Sequence, residues 1–215
     1  AAEKLIDHLE RTHVFISKGN PSITNGQNET SEASAAIAFQ GRIAAIRAYM
    51  ATRKGDLPSI SKYSQQALDY LSEEDSTWRS IVATSSGIAY DYKNDGRAAI
   101  NAHLEAVEAA RKAGNVYLYL INRLWVTIAL KYAGRLPEAM SLCRQLLSEI
   151  SDKTLTFNVA VGHVWGTWGE LLYELNELDE AHRYTKKGVG LLEQGHDVGH
   201  LGHRYTCLVK ILCSS

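Results

Sequence analysis

Proline is scarce in this chain, with only 3 among 215 residues. Because proline disrupts the interior of a helix, a long chain with so few prolines is compatible with a succession of helices. Charge of one sign is also lacking, since 23 lysines and arginines face 24 aspartates and glutamates. This balance leaves no broad basic field for phosphate groups, so we expect no direct contact with nucleic acid.

The three cysteines, Cys143, Cys207 and Cys213, are too few and too irregularly spaced for a disulfide framework. They indicate a reducing compartment, and we predict a cytoplasmic location. The sequence contains no signal peptide and no apolar run long enough to cross a bilayer, so we expect no membrane contact. The chain begins without methionine, and we expect it to be a fragment of a larger protein.

Motifs that carry chemistry are also missing. There is no GxxxxGK[ST] loop, no GxGxxG, and no serine or cysteine within a recognisable base-bearing motif. We therefore predict that the chain is not an enzyme and has neither catalytic residues nor a cofactor of its own. His196, His200 and His203 have spacings that would place them on one helix face, where they could hold a metal. No cysteine or carboxylate accompanies them in a comparable array, and His163 is remote in sequence, so we predict ordinary surface or groove histidines and no metal site.

What the chain does contain is a repeat. Four segments consist of a turn followed by an amphipathic helix, and their equivalent turn residues are Gly55, Asn94, Gly134 and Asn176. Glycine and asparagine are the residues that close a helix in left-handed geometry. The turn residues are 39, 40 and 42 positions apart. A period of this size is typical of a solenoid.

A second helical pattern precedes each turn, so each unit is predicted to be a helix, a tight turn and a helix. Small residues recur where the two helices would meet. In the first helices these are Ala48, Gly87, Thr127 and Gly169; in the second helices they are Ala67, Ala106 and Gly188, with Leu146 as the exception. A third set near the turn, Ile60, Ala99, Ala139 and Ala181, is predicted to be buried. Gly162 and Gly166 have the GxxxG spacing of close helix packing. The code resembles that of tetratricopeptide units, and we predict an all-α, right-handed superhelical solenoid of such units with a period of about 40 residues.

The predicted organisation is a single repeat domain over residues 1–215. Residues 1–17 read as the second helix of a preceding unit, and residues 18–31 as a polar, flexible loop. Residues 32–195 contain four helix pairs, with first helices from about Ala33 to Thr52, Trp78 to Lys93, Tyr117 to Ala133 and Asn158 to Leu175. Residues 196–213 read as the first helix of a following unit.

The fourth unit carries a more particular resemblance. Its sequence, GELLYELNELDEAHRYTKKGVGLLEQGHD over residues 169–197, is similar to the unit GELLYE-N-LEEA--Y---G--L---GD of MalT-like activators, the large ATP-binding LuxR-type bacterial regulators. The segment AYMATRKGDLPSISKYSQQALDYLSEED, residues 48–75, and RKAGN, residues 111–115, also resemble units of that family. The resemblance covers about Ala33 to Leu212.

The resemblance implies a multidomain regulator in which a signalling ATPase precedes the repeats and a helix-turn-helix domain follows them. ATP would then bind to the separate upstream domain. The repeats would sense an effector, which in the namesake is a maltooligosaccharide, and would contact other domains of the regulator, with self-association possible. A tetratricopeptide scaffold that holds a peptide or protein partner is the alternative function.

Stacked helix pairs curve, and the first helix of each unit lines the concave face. Projected onto that face, the repeat register selects one group of residues from each unit: Arg42, Tyr49 and Arg53; Thr84, Asp91 and Tyr92; Asn122, Lys131 and Tyr132; and His163, Glu170, Tyr173 and Glu174. Aromatic faces beside planar hydrogen-bonding groups suit a sugar, a small polar effector or a peptide. The predicted ligand-binding residues are therefore Arg53, Asp91, Tyr92, Lys131, Tyr132, Glu170, Tyr173 and Glu174.

Overall fold

The computed structural model describes Lys4, residues 26–152 and residues 158–214. Over these ranges the chain forms nine α-helices and no strand, which confirms the all-α prediction. In chain order they are α1 (Gly26–Thr52), α2 (Leu57–Tyr70), α3 (Ser76–Tyr92), α4 (Gly96–Lys112), α5 (Val116–Tyr132), α6 (Leu136–Asp152), α7 (Asn158–Glu174), α8 (Leu178–Gln194) and α9 (Val198–Ser214).

The helices are arranged as four helix–turn–helix pairs, α1–α2, α3–α4, α5–α6 and α7–α8, with α9 packed after the last pair. Each first helix contacts the first helix of the next unit, from α1 through α3, α5 and α7 to α9. Within the described ranges, successive second helices do not pack against each other in this way. The first helices are therefore closer together, and the stack curves with these helices on its inner side.

The turns inside the pairs have the geometry that their sequences predict. Gly55, Asn94, Gly134 and Asn176 all have positive φ, between 56° and 73°. The second helix then begins at a capping residue in two of the units, where Asp56 accepts a hydrogen bond from the Ser59 amide and Asp95 accepts one from the Ala98 amide. These caps satisfy amides that the first turn of a helix leaves without a helical partner.

The small-residue code marks the contacts between helices. Ile60, Ala99, Ala139 and Ala181 are all 0% exposed. A Cβ atom added to Gly188 would lie 2.7 Å from the Gly162 carbonyl oxygen and 2.6 Å from the Gly166 amide nitrogen. The backbones of α7 and α8 therefore approach so closely that only glycine fits at this contact, as the GxxxG spacing predicts.

The structure corrects two helix boundaries. Helix α1 begins at Gly26, so residues 26–31 are helical, whereas we predicted them to be part of a loop; residues 18–25 lie outside the described residues, as does all of the predicted helix 1–17 except Lys4. Helix α9 begins at Val198 rather than at His196, because His196 has a φ of 54° and terminates α8. His196, His200 and His203 therefore do not share one helix face, and that interpretation of the triad is wrong.

None of the nine helices over the described residues combines the length and the apolar character that a membrane crossing requires.

Candidate functional site

A groove of about 730 Å³ lies on the inner side of the stack. Its lining comes almost entirely from the first helices and the turns that follow or precede them. The lining residues are Tyr49, Ile88, Asp91, Tyr92, Asn94, Gly96, Tyr117, Ile121, Leu124, Trp125, Ile128, Tyr132, Ala133, His163, Asp197, His200, His203 and Arg204. One side of the groove, from α1, α3 and α5, is aromatic and aliphatic, and the other, from α7 and α9, is polar.

On the aromatic side of the groove, a buried histidine packs against the ring of Trp125. The ring of His103 stacks on Trp125 with 5.6 Å between ring centroids and an interplanar angle of 13°. Its Nε2 atom lies 3.0 Å from Oδ2 of Asp91, which lines the groove as well. The Asp91–His103–Trp125 arrangement therefore fixes the orientation of an aromatic ring that a ligand would contact.

Space for His103 is provided by Gly87 on the facing helix. A Cβ atom at Gly87 would lie 2.4–2.8 Å from the imidazole ring atoms of His103. The small residue that the repeat code places in α3 thus admits a large polar side chain from α4, which is 0% exposed. A small residue at position 87 is therefore needed for His103 to reach Trp125 and orient that groove residue.

The polar side is organised around the buried carboxylate of Glu170 in α7. Its Oε2 atom lies 2.7 Å from Nζ of Lys131, and its Oε1 atom accepts hydrogen bonds from Arg204 and His203. Burial opposes ionisation of Glu170, but the hydrogen bond from His203 and the charges of Arg204 and Lys131 outweigh it and hold its pKa well below the ordinary value. Glu170 is therefore an anion that links α5, α7 and α9.

His203 is the more exposed of the two cations of this cluster that line the groove. Hydrogen bonds to Cys207 and Glu170 raise the pKa of His203 to about 9, so the imidazolium is the main form at neutral pH. Its side chain is 57% exposed. Arg204, by contrast, is 4% exposed and donates to the Thr167 hydroxyl and the His163 carbonyl.

A series of side-chain contacts runs from the polar side of the groove to Arg53. His163 Nε2 lies 2.8 Å from Oδ2 of Asp197, and His200 Nδ1 lies 2.9 Å from the same oxygen. The other ring nitrogen of His200, Nε2, lies 3.0 Å from Nη1 of Arg53. Arg53 follows α1 and His200 is in α9, so this contact joins the first and last units beside the groove, which His200 lines.

Three predicted ligand-binding residues line this groove: Asp91, Tyr92 and Tyr132. Tyr92 and Tyr132 are 56% and 69% exposed, so their rings are accessible. Their equivalent positions in successive units place them on the same inner surface. Tyr49 and His163, which the register also selects, line the groove too.

The other five predicted residues have different surroundings. Lys131 and Glu170 are engaged with each other between α5 and α7. Arg53 is not part of the lining but contacts His200, which is, and the hydroxyl of Tyr173 lies 3.2 Å from Ser214 Oγ. Glu174 is exposed outside the lining. The structure thus brings three of the eight residues into the lining and leaves five around it.

Two further residues that the register projects onto the inner face are buried between helices instead. Thr84 and Asn122 are 5% and 0% exposed. Their side-chain oxygens are 2.7 Å apart, and the Asn122 amide donates to the Ser80 hydroxyl. They belong to a polar network that connects α3 and α5, because their side chains point toward the neighbouring helix rather than into the groove.

The repeat register did not select Trp125, Asp197, His200, His203 or Arg204 as groove residues. A usable signal was present for α9. His203 lies five residues after the first residue of its helix, as Ile121 does in α5 and His163 does in α7. The prediction covers the first helices of four units only, whereas α9 acts as a fifth inner helix.

The fold and the groove define a protein of the tetratricopeptide-like class, a curved stack of helix pairs with a lined inner surface. A sequence model described as the MalT-like TPR region matches residues 41–214. The chain therefore belongs to the MalT-like TPR family. A search of curated proteins found no match.

Proposed function

We propose that this chain is the effector-sensing and oligomerisation domain of a MalT-like, LuxR-type transcriptional regulator, and that the groove binds a small effector. In this proposal the domain is cytoplasmic and not catalytic, ATP binds to a separate upstream domain, and another domain contacts DNA. Its partners are the effector, the other domains of the regulator and further copies of the chain, without nucleic-acid or membrane contact of its own.

The observation that carries the proposal is the groove itself. Its volume of about 730 Å³ falls within the roughly 300–1,000 Å³ of small-molecule sites. Rings of Tyr92, Trp125 and Tyr132 offer flat apolar contact, while Asp91, Asn94 and His203 offer hydrogen-bonding groups. Such a combination suits a compact ligand that has both an apolar face and polar edges.

The contact between Arg53 and His200 favours a small effector over the alternative, a peptide scaffold. An extended peptide needs a groove that is open along its length. Here the first and last units are joined by the contact of Arg53 with His200, which lines the groove. A compact ligand that contacts both sides would hold the ends of the stack in one spacing, and would shift the regulator only if it prefers one state.

Calorimetry with a panel of small metabolites, including maltooligosaccharides, and of candidate peptides tests the proposal. For a small molecule that binds, Tyr132→Ala and Trp125→Ala should weaken the affinity by at least about tenfold, since each removes a large contact surface. Tyr90→Ala is the matched control, because Tyr90 is an exposed tyrosine of α3 that does not line the groove.

Affinity that survives both Tyr132→Ala and Trp125→Ala would place the ligand elsewhere. Binding of a peptide and of none of the small molecules would favour the scaffold function. The oligomerisation part is tested separately, by sedimentation of the chain with and without its ligand. A mass that does not change with ligand or with protein concentration contradicts it.

A further inference from the structure

The polar side of the groove contains a compact set of nitrogen and oxygen donors from three different parts of the chain. His163 is in α7, Asp197 is in the turn before α9, and His200 is in the first turn of α9. One ligand atom from each lies within 4.8 Å of the other two. The two imidazole rings are edge to face, with 4.6 Å between their centroids.

Two imidazoles and one carboxylate form a ligand set that suits divalent transition metals. Metal–ligand bonds of about 2.0–2.1 Å place the ligand atoms of one ion roughly 3 Å apart. The Asp197 oxygens lie 2.8 Å from His163 Nε2 and 2.9–3.0 Å from His200 Nδ1. Only a small outward movement of these side chains would therefore admit an ion between them.

The position of the three side chains also suits metal binding. His163, Asp197 and His200 all line the groove, so the remaining coordination positions of an ion would face the ligand space.

We propose that His163, Asp197 and His200 bind one divalent transition-metal ion, of the class of Zn²⁺, and that the ion competes with Arg53 for His200. This inference does not depend on the effector proposal, since metal binding is measured without an effector.

The competition follows from the two nitrogens of one imidazole ring. In the present arrangement His200 donates from Nδ1 to Asp197, so Nε2 can accept the hydrogen bond from Arg53. When Nδ1 gives its lone pair to a metal, the neutral ring carries its proton on Nε2. Nε2–H and the guanidinium are then both donors, and Arg53 must leave. Metal binding would thus open the contact that joins the first and last units.

A second set of possible ligands, Glu170, His203 and Cys207, lies nearby. Its carboxylate already neutralises Lys131 and Arg204. A dication placed there would face two fixed cations at short range, with only the carboxylate and one thiolate to compensate. The first set differs in that the ion pairs of the Asp197 carboxylate in the described residues are with histidines only. Arg204 and Arg53 instead contact the His163 carbonyl and the His200 ring. The carboxylate of the first set is therefore the more available one for an ion.

The full chain is first freed of metal with a chelator. Calorimetry then measures the binding of ZnCl₂, and absorption spectroscopy follows the binding of CoCl₂. We expect one Zn²⁺ per chain, and cobalt bands without a thiolate-to-cobalt charge-transfer band. Asp197→Asn and His200→Ala should each weaken Zn²⁺ binding by more than about tenfold, at least the effect of losing a supporting residue. His203→Ala and Cys207→Ser are the matched controls and should leave the affinity unchanged. Circular dichroism verifies that each variant is folded.

The Zn²⁺ affinity of Arg53→Met separates the proposed competition from a purely structural role of the cluster. It removes a competing donor and a positive charge, so Zn²⁺ should bind several-fold more tightly, whereas Arg97→Met, at an exposed position on α4, should have no effect. The absence of a saturable one-to-one site in the wild type overturns the proposal. So does a thiolate band that Cys207→Ser abolishes, because the ion would then occupy the second set.

Discussion

The guanidinium of Arg53 lies 3.0 Å from Nε2 of His200, although the two residues are 147 positions apart in the sequence. Over the described residues, the backbones of α1 and α9 do not pack against each other, so side chains alone connect the first and last units here. One substitution at Arg53 therefore removes this connection between the first and last units, beside the groove that His200 lines.

Replacing Arg53 should widen the range of distances between the ends of the stack. In a background with Cys207→Ser and Cys213→Ser, spin labels at Ser61 in α2 and Tyr205 in α9 report that distance. We expect a broader distance distribution in Arg53→Ala than in the parent, with little change in melting temperature because the contact is exposed. Arg97→Ala should leave the distribution unchanged. Identical distributions in all three proteins would show that the contact does not restrain the stack.

Replacing Gly169 by leucine should lower the free energy of unfolding by about 1–3 kcal/mol, because an overfilled helix contact must open. A Cβ atom at Gly169 would lie 2.2 Å from Thr185 Oγ1 and 2.8–2.9 Å from backbone atoms of α8. Gly87→Leu should destabilise the domain similarly, through His103. Gly202 is the matched helical control, with no such neighbour within 4 Å over the described residues. Denaturant unfolding measures all three, and equal stabilities would contradict the packing assignment.

Glu170→Gln should be among the more destabilising single changes in the chain. The substitution preserves shape but removes the charge that Lys131 and Arg204 share. Breaking a buried ion pair from one side typically destabilises by about 3–5 kcal/mol. Glu138→Gln, which breaks an exposed pair with Arg135, should have no measurable effect. A Glu170→Gln variant as stable as Glu138→Gln would mean that the cluster is solvated in solution.

The pH dependence of stability should include a contribution from His203. Its pKa rises from 6.5 to about 9 on folding, so the folded state holds the proton more tightly than the unfolded state. The resulting stabilisation is complete below about pH 6.5 and is lost as the pH rises toward 9. The difference in melting temperature between wild type and His203→Gln should therefore shrink over that interval. A difference that is constant with pH would contradict the raised pKa.

The sequence predicted the elements of the fold and much of their packing. Turn residues such as Asn94 and Asn176 recur at a nearly constant spacing, and a turn that needs positive φ restricts the residue type. Ala99 and Ala181 are small where helices meet, because close packing leaves no volume for more. These constraints act within one unit and recur in each, so they are readable along the chain.

Only the tertiary structure decided which residues form the polar side of the groove. Arg53 and His200, or His163 and Asp197, come together only because the curvature of the whole stack brings distant units to one place. Which of these side chains meet depends on the small rotations between successive helices, accumulated over the whole stack. No local sequence pattern encodes that total. Glu170 has the sequence position of a groove residue, equivalent to Ile128, yet it is buried, because Lys131 and Arg204 converge on it from two other helices. The sequence by itself determined the repeat, its turns and the small residues at its helix contacts, while the curvature of the stack decided which side chains meet across the groove.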